Sequence, residues 1–194
     1  MATLTSQLES VNVMLGHIGE SPINSLTGSL PVSATTALAA LNEVSKEIQS
    51  EGWHFNSEKN VILSPVGGSI TVPTDAVQVD ADDKSLDIVQ RGSSLFDRTN
   101  NTSTFTKSIK VNLMRLLDWD SLPEEARRYI TLRASRIFQG RVVGSRELEA
   151  LIARDEYQAR SRLEESDYGG SDRTIFDNFD SATRIGLNRN YDIS

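Results

Sequence analysis

The sequence contains no cysteine and only two histidines among its 194 residues. Without cysteine, the chain has no disulfide bonds, thiolate nucleophiles or cysteine-ligated zinc. A histidine metal site or a Ser-His-Asp triad would have to use His17 or His54. His17 lies in an apolar helical segment and His54 lies between Trp53 and Phe55, so we interpret both as packed or surface residues. We therefore expect no catalytic residues, no cofactor and no metal.

Long apolar runs and an excess of positive charge are also missing. No stretch approaches the ~18 apolar residues that span a bilayer, and the N-terminus lacks the basic and apolar segments of a signal peptide. We therefore expect no membrane association, and folding in the cytoplasm. The net charge of −7, from 20 basic and 27 acidic residues, disfavours a helical DNA-binding or regulatory protein, because proteins that grip nucleic acid usually carry a basic excess.

Four segments have apolar residues at helical spacing. The pattern predicts amphipathic helices over residues 6–19, 34–50, 121–140 and 145–168. Two of these helices begin with serine followed three residues later by glutamate, which is the spacing of a capping box: Ser6 with Glu9, and Ser121 with Glu124. Each helix has a single apolar stripe and must bury it against neighbours, so we expect a helical bundle. The stripe of the fourth helix comprises Leu148, Leu151, Ile152, Ala159 and Leu163.

A β-rich segment separates the two helical pairs. Residues 53–120 alternate β-branched and polar side chains between turn signals. The predicted strands are residues 60–63, 69–72, 76–79, 86–90, 95–98 and 108–116, with a hairpin turn at 91–94. The fold class is therefore α+β, mainly a bundle of about four helices with a small antiparallel β-rich insertion and an extended C-terminal tail. We divide the chain into a first helical pair (1–52), the insertion (53–120), a second helical pair (121–168) and the tail (169–194).

The second helical pair uses arginine as its only basic residue. Residues 121–168 contain nine arginines and nine acidic residues, whereas residues 1–52 contain one basic and five acidic residues. Arginine is preferred where a guanidinium pairs with carboxylates at a protein interface. The alternative is a solvated helix face with i,i+4 ion pairs, such as Arg160 with Glu156 or Glu164. The composition alone leaves both interpretations open.

The densest group of carboxylates offers an enzymatic alternative. Asp80, Asp82 and Asp83 lie close together, and two such carboxylates, or one of them with Glu124, could cleave a glycosidic bond as acid and base. The same cluster lacks the glycine and the terminal glutamate of a calcium-binding EF-hand. Adjacent acidic residues between short strands usually form a solvated turn. A virion-associated glycan hydrolase is therefore the alternative function, and structural assembly is the favoured one.

Several stretches, in order, resemble the tail tubular protein A family of short-tailed bacteriophages (podoviruses), which are head-to-tail adaptors. They are Val13 to Ile23 with its IGE-x-P turn, Glu47 to Asn56, Phe96 to Thr99, Ile109 to Leu113, Asp118 to Pro123, Arg133 to Phe138 and Asp167 to Gly170. The resemblance covers about residues 5–180. It departs most over residues 64–90 and over the last dozen residues.

The resemblance implies a structural role in the virion, at the junction of head and tail, after assembly in the host cytoplasm. Such adaptors form a ring of twelve subunits between the portal and the nozzle, tail tubular protein B, and tail fibres attach nearby. The double-stranded DNA passes through the lumen without sequence-specific binding. An acidic lumen repels phosphate, so the genome can slide without being held.

We expect the subunit and portal interfaces to use charged helix faces and the tail. In a head-to-tail ring, the arginine-rich helices would meet Glu9, Glu43, Glu47 and Glu51 of a neighbouring subunit. The tail has aromatic and basic residues in a polar sequence, as in a segment that orders on a partner, here the portal. The predicted interface residues are Arg133, Arg136, Arg141, Arg160, Arg162, Arg173, Phe176, Phe179 and Tyr191.

Overall fold

The computed structural model describes residues 4–170, which form four α-helices and two small antiparallel sheets. The helices are α1 (Gln7–His17), α2 (Val32–Gln49), α3 (Glu124–Val142) and α4 (Arg146–Gly170). The strands are β1 (Ser57–Leu63), β2 (Ala76–Ala81), β3 (Ile88–Arg91), β4 (Ser94–Asp97) and β5 (Ile109–Arg115). Short 3-10 turns precede β1 and α3. The predicted α+β class, with helices on both sides of a β-rich insertion, is confirmed for the described part of the chain.

Helix α3 lies at the centre of the bundle and packs against α1, α2 and α4. Ten of its 19 residues are buried, and they point to all sides of the helix. The apolar face predicted for this helix is buried in the main core, but burial extends beyond a single stripe to residues such as Tyr129 and Leu132. Tyr129, Ile130 and Phe138 pack with Leu41 and Leu163 in the main core. Among residues 4–170, none of the helices combines the length and apolar character that a bilayer span requires.

A line of polar residues on α3 is buried together with the apolar ones. Arg127, Thr131, Ser135 and Gln139 recur every four residues and are all buried. The Thr131 hydroxyl lies 2.9 Å from the Ser10 hydroxyl of α1, and Ser135 and Gln139 donate to backbone carbonyls. These bonds offset the cost of removing the polar groups from water. The bond between Thr131 and Ser10 joins α3 to α1.

The N-terminal segment is tied to the start of α3. Glu124 was predicted to close a capping box with Ser121, but α3 begins after Pro123 without a side-chain cap. The Glu124 carboxylate instead accepts hydrogen bonds from the backbone N–H and the hydroxyl of Thr5. The buried guanidinium of Arg127 donates to the Thr5 carbonyl at 2.9 Å and to two further carbonyls. The other predicted capping box, Ser6 with Glu9, is confirmed.

The insertion contains a three-stranded sheet in the order β1–β5–β2 and a separate β3–β4 hairpin. The predicted hairpin turn between residues 91 and 94 is confirmed, with Arg91 opposite Ser94. The strand predicted over residues 69–72 is absent, because Ser69 and Thr71 make only isolated bridges. The insertion has its own core, which includes Ile70, Leu95, Phe105, Val111 and Leu113.

Two buried amide side chains join the sheet to the bundle at both chain crossings. The side chain of Gln49, at the end of α2, accepts a hydrogen bond from the Leu117 N–H at 2.7 Å and donates one to the Leu117 carbonyl. Asn56 accepts from the Trp53 N–H and donates to the carbonyls of Gln49 and Arg115. Because Gln49 links the end of α2 to Leu117 and Asn56 links Gln49 to Arg115, the two cores are held in one arrangement.

Gly52 allows the first crossing to pass close to β5. Its φ of +80° lies in the left-handed region that favours glycine. A Cβ atom at this position would lie 2.5 Å from the Cε of Met114. A side chain at this position would strain the backbone and would require the flexible end of Met114 to move.

We predict that Asn56→Ala destabilises the protein. The substitution leaves the Trp53 N–H and the carbonyls of Gln49 and Arg115 without their partner, and the expected loss in the free energy of unfolding is about 3 kcal/mol. Urea unfolding followed by circular dichroism measures the loss. The matched control is Asn24→Ala, at an exposed asparagine. Equal stability of the two variants would show that the Asn56 bonds do not hold the joint.

Candidate subunit interface

Glu156 is the acidic residue most enclosed by the arginine-rich helices. On α4 it lies four residues after the buried Ile152 and three residues before the buried Ala159, so its side chain points toward α3. The residue is 8% exposed. Arg136 donates from Nε to this carboxylate at 2.5 Å, and Arg133 donates from Nη1 at 3.2 Å. The bond to Glu156 raises the pKa of Arg136. These two ion pairs hold α4 on α3.

A second set of ion pairs lies along α2. Glu43, Glu47 and Glu51 are spaced four residues apart and accept from Arg141, Arg133 and Arg160 respectively. Hydrogen bonding to Arg141 lowers the pKa of Glu43. The bonds to Tyr129 and Glu164 raise the pKa of Arg160. The seam between α2 and the arginine-rich pair is thus charge-matched over its length.

Four of the predicted interface arginines make ion pairs within the single chain. Arg133, Arg136, Arg141 and Arg160 were expected to meet acids of a neighbouring subunit, but the acids they bind belong to their own chain. The bundle brings α2 beside α3 and α4, so opposite charges meet without a second copy. The alternative of an i,i+4 pair is also present, since Arg160 donates to Glu164 at 2.8 Å. Contact of this surface with another subunit stays a prediction.

Apart from the buried Arg127, which binds backbone carbonyls, four arginines of the second helical pair make no ion pair within residues 4–170. They are Arg128, Arg146, Arg154 and Arg162, and all are exposed. Arg162 is therefore the one predicted interface arginine of the described chain that keeps its charge unpaired. It lines a cavity of about 150 Å³ with Arg128, Glu124 and Glu125. The other predicted interface residues, Arg173, Phe176, Phe179 and Tyr191, lie outside the described residues.

The carboxylates of the enzymatic alternative are not brought together. Asp80, Asp82 and Asp83 are exposed near the end of β2, and bonds from the Ser85 N–H and hydroxyl lower the pKa of Asp83. Glu124 lies in the bundle, bound to Thr5. Asp80 lines a groove on the sheet with a second carboxylate, that of Glu58. Within residues 4–170, no three acidic or histidine side chains form a group suited to a metal ion.

The two histidines occupy ordinary structural positions. His17 ends α1 and is partly buried, and burial lowers its pKa against the opposing effect of Asp155. His54 is exposed, and its backbone N–H donates to Asp167 at the end of α4.

Sequence reasoning missed the roles of Glu156, Gln49 and Asn56. For Glu156, the signal was its position on the same helical line as Ile152, Ala159 and Leu163.

The chain is similar to proteins of bacteriophage tails. Residues 8–171 match the family model described as tail tubular protein. Tail tubular protein A of Klebsiella phage KP34 is 30% identical over 125 residues, which are 64% of this chain. The match spans 66% of that relative, just under two thirds of its length. Because the family model covers both helical pairs and the insertion, this chain belongs to the tail tubular protein family and is a structural protein of the bacteriophage tail.

Proposed function

We propose that this chain is a ring-forming adaptor that joins the portal to the tail nozzle, tail tubular protein B, at the head–tail junction. Twelve copies surround the path of the double-stranded genome, and tail fibres attach near the edge of the ring. The subunits are made in the host cytoplasm and join the particle there. The observation that carries the proposal is the family match over residues 8–171.

The charge distribution supports passage of DNA through the ring. Each chain carries a net charge of −7, so a ring of such chains is strongly acidic. Its arginines are also partly neutralised, because Arg133, Arg136, Arg141 and Arg160 are bound to carboxylates. These ion pairs reduce the number of guanidinium groups that can replace the counterions of DNA, and replacement of those counterions is what holds DNA tightly to a protein. The genome can therefore slide through the lumen.

The proposal assigns no catalytic step to the chain. A glycan hydrolase remains the alternative function, and the one observation in its favour is the groove of about 250 Å³ that Glu58 and Asp80 line on the sheet. Such a pair of carboxylates has the chemistry of a glycosidase site. Glu124, by contrast, is bound to Thr5 and has no free role in such a site.

We predict that particles lacking this chain do not keep their packaged genome and carry no nozzle. The physical reason is that the ring closes the portal exit and supplies the surface on which the nozzle assembles. Electron microscopy of the particles, with nuclease protection of their DNA, measures both effects. The control is the same phage supplied with the intact chain from a plasmid. Tailed particles with protected DNA in the absence of the chain would contradict the proposal.

We further predict that deletion of residues 171–194 weakens binding to the portal at least about tenfold, because buried aromatic anchors are each worth about 2 kcal/mol at an interface. Binding of purified portal is measured by sedimentation. A full-length variant with alanine at Phe176, Phe179 and Tyr191 is expected to lose most of the same affinity. Circular dichroism checks that the deleted chain still folds. Portal complexes formed as well as with the intact chain would refute the role of the tail.

A third prediction concerns the enzymatic alternative. The purified chain is expected to release no reducing sugar from host surface polysaccharide. If release is seen and is lost in both Asp80→Asn and Glu58→Gln, the groove on the sheet is a glycosidase site and the alternative is correct. Asp82→Asn is the matched control, because Asp82 is exposed nearby but does not line the groove.

A further inference from the structure

The ion pairs within the chain leave few charges for contact with a second copy. Of the four acids expected to meet a neighbour, Glu43, Glu47 and Glu51 already bind arginines of their own chain. Glu9 binds none, and its carboxylate accepts hydrogen bonds only from Ser6. No lysine or arginine occurs before Lys46. The exposed carboxylate of Glu9 on α1 therefore has no basic residue in its own segment of the chain with which to form an ion pair.

The α1 face that carries Glu9 is also partly apolar and concave. Thr5, Glu9, Asn12 and Val13 line a shallow groove of about 570 Å³. Val13 is 44% exposed and Leu4, just before the groove, is 42% exposed. A groove with exposed aliphatic side chains and one acid fits a protruding apolar side chain flanked by a basic residue.

The exposed side of α4 has the complementary features. Leu151 is 66% exposed, although its leucine side chain was predicted to lie in the buried stripe of α4, and Tyr157 is 75% exposed. The buried line runs through Ile152 and Ala159 instead, which turns Leu151 outward. Arg154 lies between the two exposed residues, at a spacing of three from each, and makes no ion pair within residues 4–170. Tyrosine and arginine are enriched among the residues that dominate interface energies.

The two faces lie on different helices of one subunit. Both α1 and α4 pack against the central helix α3, but they scarcely touch each other. Two different complementary faces make a heterologous contact, which repeats from copy to copy and closes into a ring when the rotation allows it. An isologous dimer would instead need one self-complementary face.

We propose that the α4 face (Leu151, Arg154, Tyr157) docks into the α1 groove (Thr5, Glu9, Val13) of the next copy of this chain. Arg154 then pairs with Glu9, and Leu151 and Tyr157 cover Leu4 and Val13. This inference rests on the proposed ring and names the surfaces that build it. The ion pairs of α2 with α3 and α4 stay within each subunit and shape it before it assembles.

The test uses two variants, Val13→Glu and Leu151→Glu. Each variant disrupts one of the two faces by placing a negative charge on it. Sedimentation velocity is measured for each variant alone and for a 1:1 mixture. Each variant alone is expected to stay monomeric, with association weakened at least a hundredfold. The mixture is expected to form a 1:1 dimer and nothing larger, because one intact α1 groove and one intact α4 face remain. Circular dichroism checks that both variants fold.

Val66→Glu is the matched control, since Val66 is exposed on the insertion and belongs to neither face. It is expected to assemble like the wild type. If the wild type assembles and the two face variants also assemble, the docking surfaces are wrong but the ring stands. A mixture that remains monomeric overturns the pairing of these two faces. A wild-type chain that stays monomeric at every concentration overturns the ring and this interface together.

A second measurement uses the absence of cysteine from the chain. One chain carries Val13→Cys and another carries Leu151→Cys, so a short bismaleimide cross-link between the two types can form only between subunits. The expected product is the mixed dimer, in large excess over dimers of either variant with itself. Equal yields of all three products would contradict a face-to-groove contact.

Discussion

The enclosure of α3 by the other three helices is the constraint on which the remaining structure depends. The polar side chains of α3 that the other helices bury lose their contacts with water, so they need partners inside the chain. Arg127 therefore binds three carbonyls, and Arg133 and Arg136 converge on Glu156. Removing one member of such a group leaves the other buried and unpaired, which is costly. The position of α4 and the anchoring of the N-terminus at Thr5 both follow from this requirement.

The same requirement makes the subunit a preformed unit. Gln49 and Asn56 hold the sheet on the bundle through backbone bonds at both crossings, and the seam along α2 is closed by glutamate–arginine pairs. A tail protein that must fit between other parts of a particle benefits from a shape set before assembly, since little ordering entropy remains to be lost on association. The exposed pairs of the seam contribute modestly to stability, because solvent and salt screen them.

The internal pairing also changes which charges are available to partners. Within residues 4–170, four of the predicted interface arginines bind carboxylates of their own chain, and the fifth, Arg162, makes no ion pair. Arg154 and Arg162 are exposed on α4, while Glu9 is exposed on α1. The surface available to partners is thus set by the charges that the interior does not pair, together with apolar residues such as Leu151 and Tyr157 that the bundle does not cover.

The sequence by itself determined the four helices, the hairpin turn at Gly92 and the capping box of Ser6 with Glu9, because periodicity, turn chemistry and caps depend on neighbours within a few residues. It also carried the family resemblance that the family match confirmed. Only the tertiary structure decided that α3 is covered on all sides, that Leu151 faces outward and that Glu124 binds Thr5 rather than Ser121. Helical spacing states which residues share a line along a helix, but not how many other helices pack around it. Residues far apart in the chain, such as Glu47, Arg133 and Glu156, are brought together only when that packing is complete.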